Sequence, residues 1–153
     1  MKKFRFKLET LLKVTRMKRE DAEVAFAEAS RKLEEAREQL GEMLADMQRS
    51  QQKFDKLARN GAKLPMERIV AYHQFFNYKR RQIEQQNRLI LERRGKKQQK
   101  MKELMDLMSY VKSIEQLRER KLQEYKDEAM HEEQKILDEL GQQLVMRRKG
   151  AAS

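Results

Sequence analysis

Leu64–Gln86, LPMERIVAYHQFFNYKRRQIEQQ, together with the Asn60-Gly61 pair just before it, is where the helical periodicity of the chain stops and restarts. Glycine or asparagine accepts the left-handed backbone that closes a helix C-terminus. Pro65, the only proline, suits the first turn of a new helix, because its missing N–H has no partner there. The stretch also holds four aromatic side chains, Tyr72, Phe75, Phe76 and Tyr78, and opens a basic run. Helix one is therefore expected over about residues 6–58, a turn over 59–64 and helix two over 65–145. A frayed tail is expected over 147–153.

Toward the N-terminus the spacing alternates four and three without interruption. It passes through Leu8, Leu12, Thr15, Arg19, Ala22, Phe26, Ala29, Leu33, Ala36, Leu40, Met43, Met47, Ser50, Phe54 and Leu57. Such a sustained heptad seam with charged intervening positions predicts a coiled coil. Toward the C-terminus the seam reads Ile69, Tyr72, Phe76, Lys79, Ile83, Gln86 and Ile90. It resumes at Met101, Leu104, Met108 and Val111, then runs more loosely through Leu122, Tyr125, Ala129, Ile136, Leu140 and Leu144. Reaching Met101 from Ile90 takes two successive four-residue steps, so a stutter is expected there.

Two long periodic segments joined by a short break predict an all-α fold, a long antiparallel two-helix coiled-coil hairpin. Folding about residues 62–63 sets residue i opposite roughly 125 minus i. Phe54 then faces Tyr72, Thr15 faces Val111, and Ala29 faces Lys96 and Lys97. Ala25, Ala27, Ala29 and Ala36 form a narrow strip over which lysine and arginine stems could lie. Helix two outruns helix one, leaving about residues 122–146 without a partner, an overhang of roughly 35–40 Å at the helical rise.

Composition agrees with this class. Of 153 residues, 40% are charged and 39% hydrophobic, with no tryptophan and no cysteine. Disulfides and thiolate metal sites are excluded. No apolar run approaches the roughly 20 residues that cross a bilayer, and charges interrupt the N-terminal MKKFRFKLETLLK, so no secretory apolar region is expected. The reading is a cytoplasmic protein. The formal net charge of +11 is uneven. Residues 79–102 carry ten basic and two acidic side chains, whereas 103–128 carry five basic and seven acidic.

Catalytic patterns are not legible. His73 and His131 are far apart, and His131-Glu132-Glu133 has no second histidine at the spacing of the helical zinc motif. No glycine-rich phosphate loop occurs, and no cofactor or metal is expected. Tyr72 and Phe76 fit the seam. Phe75 and Tyr78 lie off it beside Arg80 and Arg81, the composition of a protein-binding hot spot. Gln39, Met43 and Met47 on helix one extend that patch at a comparable height, although the two methionines also fit the seam. The basic run is read as a solvated face or a site for an acidic protein. Specific nucleic-acid binding is not expected, because aromatic side chains that would stack bases stop at Tyr78.

The opening FRFKLETLLKV, the segment Tyr72-His73-Gln74-Phe75-Phe76 soon after an Asn-Gly break, and LRERKLQEYK at 117–126 together resemble the FliJ family of flagellar type III export proteins. The likeness covers nearly the whole chain. It implies a non-enzymatic, stalk-like coiled coil that docks in the export ATPase hexamer, promotes its assembly and activity, and links it to the export gate. It also implies a chaperone role involving export chaperones, and a cytoplasmic location peripherally associated with the inner membrane. Carried onto this sequence, the gate-binding residues would be Gln39, Met43, Tyr72 and Phe75. The ATPase tip would be Phe4, Phe6, Leu8, Leu11, Leu122, Tyr125, Ile136 and Leu140. Lys79 and Gln86 stand where the family pattern can be apolar or aromatic. A stalk of a virulence secretion system, or a generic coiled-coil scaffold, would share the same physical features.

Overall fold

The computed structural model describes residues 2–59 and 64–151. It contains two helices, α1 (Glu9–Arg59) and α2 (Met66–Ala151). They pair antiparallel as a hairpin, with α2 much the longer. The expected Asn60-Gly61 closure lies outside the described residues, as does the end of the expected tail. At the start of α2, the Pro65 carbonyl accepts from the Arg68 and Ile69 amides. Proline thus sits immediately ahead of the helix, where it supplies an acceptor and needs no donor. Residues Arg147–Ala151, expected to fray, are helical. α1 begins at Glu9 rather than near Phe6; the Phe6 carbonyl accepts the Glu9 amide in a turn.

Chain contacts divide the molecule into two compact units, one of Met1–Arg19 with Asp106–Ser153, the other of Glu20–Met105. In the first unit, Leu12, Val111 and Ile114 form a dry aliphatic core, with Phe6 packed against it. Leu12 is wholly buried and Val111 is 1% exposed. Thr15, an apparent flaw in the apolar seam, is buried as well. Its Oγ1 donates to the Leu11 carbonyl at 2.6 Å, which satisfies the hydroxyl locally. Ion pairs flank this core, from Arg16 to Glu115 and from Arg118 to Glu9, each at 2.9 Å.

The second unit buries smaller and more polar groups. Ala29, Leu33 and Ala36 are its buried α1 residues, and Gln86 is its buried α2 residue. The Gln86 Nε2 donates to the Ala36 carbonyl at 2.8 Å and to the Gln39 Oε1 at 3.3 Å. A buried amide is tolerable here because its donors are used. Phe54 packs on Tyr72 with ring centroids 5.0 Å apart. The Lys97 ammonium lies 5.9 Å from the Phe26 ring. In these pairs the residue numbers add to roughly 125, as a fold near 62–63 requires.

The expected stutter is absent. Burial along α2 keeps alternating four- and three-residue steps from Tyr72 through Ile90, Arg93, Lys97, Lys100, Leu104, Leu107, Val111 and Ile114. Met101 and Met108, expected in the seam, are 46% and 50% exposed, and Ile69 is also exposed. The alkyl stems of Arg93, Lys97 and Lys100 supply the apolar contact at seam positions while their charges reach water. The spacing slips only later, where Arg118 and Leu122 are both half-buried four residues apart.

Candidate partner-binding surfaces

Two clusters gather some of the residues singled out by the sequence and leave others apart. The first, in the Glu20–Met105 unit, is aromatic. Phe54, Tyr72 and Phe76 pack together, and Phe75 meets Phe76 edge-on with centroids 5.7 Å apart. Phe75 stays 37% exposed and Tyr78 57%. One helix face is turned to α1, and residues 75 and 78 fall outside it at 100° per residue. The Lys79 ammonium stands 5.6 Å from the Phe75 ring, a cation–π contact that uses a seam lysine to hold an exposed aromatic. Beside the rings runs an open groove of about 540 Å³ lined by Ser50, Lys53, Arg68, Ala71, Tyr72 and Phe75.

Gln39 and Met43 are not brought against Phe75. Gln39 pairs with Gln86, about eleven residues farther along α2 than Phe75, or roughly 16 Å at the helical rise. Met43 is half-buried in the seam. The helix-one neighbours of the Phe75 groove are Ser50 and Lys53. Antiparallel arithmetic could have found them, since it sets residue 50 opposite residue 75.

The second cluster belongs to the other unit. Residues 2–6 are not helical; they lie along α2 as a strap. Phe4 packs on Tyr125 with centroids 5.6 Å apart and on the Arg118 guanidinium at 5.9 Å. The Tyr125 hydroxyl donates to the Lys2 carbonyl at 2.5 Å. Phe6 reaches the aliphatic core, and Leu122 is half-buried. Phe4, Phe6, Leu122 and Tyr125 are therefore used internally, while Leu8 and Leu11 remain exposed. An open cavity of about 960 Å³ lies under the strap, between Lys2, Lys3 and Arg5 on one side and Glu128 and Glu132 on the other. Arg118 and Ile114 were not picked out from the sequence, although the four–three spacing continued from Val111 reaches both.

Beyond the strap the expected overhang is shorter than the sequence suggested. It starts near Met130, because the strap packs on Tyr125, the cavity beside it is lined by Ala129, and Leu122 is already half-buried. Every residue from 130 to 151 is exposed, and the set includes Ile136, Leu137, Leu140, Leu144 and Val145. Among the described residues no group of His, Asp or Glu side chains converges to hold a metal. Among the described residues, no helix is long and apolar enough to cross a membrane.

The family model described as "Flagellar FliJ protein" matches residues 4–150. No curated protein and no solved structure matches the chain.

Proposed function

The chain belongs to the flagellar FliJ family, a component of the flagellar export apparatus, and from that premise we propose that it works by docking its helices into partners. In this reading the end of α2 inserts into the export ATPase hexamer and promotes its assembly and activity. The Tyr72–Phe75 face contacts the cytoplasmic domain of the export gate protein, with Gln39 and Met43 at the margin of that contact. The protein would then couple the two partners, serve export chaperones, and associate peripherally with the membrane through the apparatus.

The observation that carries the reading is the unpartnered stretch of α2 after Ala129. Met130, Ile136, Leu137, Leu140, Leu144 and Val145 face water. Burying one such side chain contributes about 1.5–3 kcal/mol, so a ring that encloses several would hold the helix firmly. The coupling is reciprocal: whatever the ring does to order the helix, the helix does to favour the assembled ring. Leu8 and Leu11 would add contacts beside it. Phe4, Phe6, Leu122 and Tyr125 would act by shaping the strap from which the free helix emerges.

The test is ATP hydrolysis by the cognate export ATPase with the full chain and with a chain ending at Ala129. The full chain is expected to stimulate turnover and hexamer formation, and the shortened chain to lose both while its remaining helices persist by circular dichroism. Equal stimulation by the two would overturn the tip assignment. In the gate arm, Phe75→Ala is expected to weaken binding of the gate domain on the order of tenfold.

A further inference from the structure

Beyond Arg80 and Arg81, which border the Phe75 patch, the basic run of α2 has a geometry that neither docking surface uses. Arg80, Arg81, Arg88, Arg94, Lys96 and Lys102 are exposed. Among the described residues, none of the six side chains takes part in an ion pair or hydrogen bond. The facing helix does not neutralise them. Four of its carboxylates there pair within α1 itself, Glu28 with Lys32, Glu34 with Arg37, Glu35 with Arg31 and Asp46 with Arg49, and Glu38 and Glu42 reach none of the six. Glu84 and Glu92 are the two acidic side chains within the run, and neither pairs with these cations, so a strip of net positive charge faces water.

Its spacing is ordered. Arg81, Arg88, Gly95 and Lys102 recur every seventh residue on the side of α2 away from the seam. Leu91 and Met105 stand three residues on from Arg88 and Lys102, and both are exposed, Leu91 by 65%. A Cβ at Gly95 would meet no atom within 4 Å, so the middle of the row is open to close approach. Rows at heptad spacing with adjacent apolar side chains are what a further helix packs along. A phosphate backbone or a lipid surface would require no such register.

We propose that residues 81–105 of α2 form a docking strip for an acidic amphipathic α-helix of a partner protein, whose carboxylates recur every seventh residue opposite Arg81, Arg88 and Lys102 and whose apolar side chains meet Leu91 and Met105. The strip is independent of the ATPase and gate assignments. Its occupant is defined by charge and register together, since charge complementarity sets partner choice and encounter rate more than raw affinity.

The experiment uses the full chain and three probes at near-physiological salt. The first is a stapled helical peptide with glutamate every seventh residue and leucine three residues after each. The second is a stapled peptide of the same composition with that register scrambled. The third is vesicles of phosphatidylglycerol and phosphatidylcholine. The registered peptide is expected to bind on the order of tenfold tighter than the scrambled one. The triple variant R81E/R88E/K102E should lose that binding with helicity unchanged, and a registered peptide carrying lysine in place of glutamate should restore binding to the variant. Equal binding of the two peptides, absence of rescue, or stronger binding to vesicles than to the registered peptide would overturn the proposal.

Discussion

The core of the first unit and the seam of the second solve the same packing problem with different chemistry. Around Leu12 the contact is dry and aliphatic, closed by Val111 and Ile114 and bordered by ion pairs. Around Ala36 it is narrow and polar, held by a glutamine amide on a backbone carbonyl and by lysine and arginine stems. Large apolar side chains on both helices exclude water by themselves. Alanine on one helix lets the other approach with long amphipathic side chains whose ends remain solvated. The first arrangement stores stability in a few residues. The second spreads it thinly, and a buried amide there favours one register over its neighbours.

The largest test of that contrast is Leu12→Ala. It removes the centre of the aliphatic core and is expected to cost about 3 kcal/mol, read as a lower denaturation midpoint by circular dichroism. A loss under about 1 kcal/mol would mean that this core is not concentrated as described. Gln86→Leu probes the other chemistry. Replacing a satisfied buried amide with leucine is expected to raise stability by about 1 kcal/mol while promoting self-association, because the polar registry signal is gone. Sedimentation and denaturation together check both halves of that outcome, and a strongly destabilised monomer would refute it. The smallest effect is expected at the strap. Phe4→Ala removes one half-buried ring and should cost on the order of 1 kcal/mol or less. Its clearer readout is faster tryptic cleavage at Arg5 and Lys7, with the midpoint of the Leu12 core nearly unmoved.

The candidate surfaces were legible to unequal degrees. Phe75 and Tyr78 could be marked as off-seam from spacing alone, because a helix fixes angle by position. Gln39 could not be separated from Phe75 by spacing. Its height depends on its pairing with Gln86, a contact across the hairpin. Likewise the strap joins Lys2 and Phe4 to Tyr125, over a hundred residues away, and no local pattern announces such a pair.

Heptad spacing determined two helices and the register of α1, and the short break between them determined the antiparallel pairing, since periodicity over many turns is a local property repeated until it cannot be accidental. Folding alone decided which face of α2 is buried after Ile90. The sequence favoured Met101 and Met108 because they are apolar, but Lys97 over the Phe26 ring, Lys100 and Leu107 take the seam positions instead. What a seam position requires is contact area against its particular neighbour, and that neighbour is known only once the two helices meet.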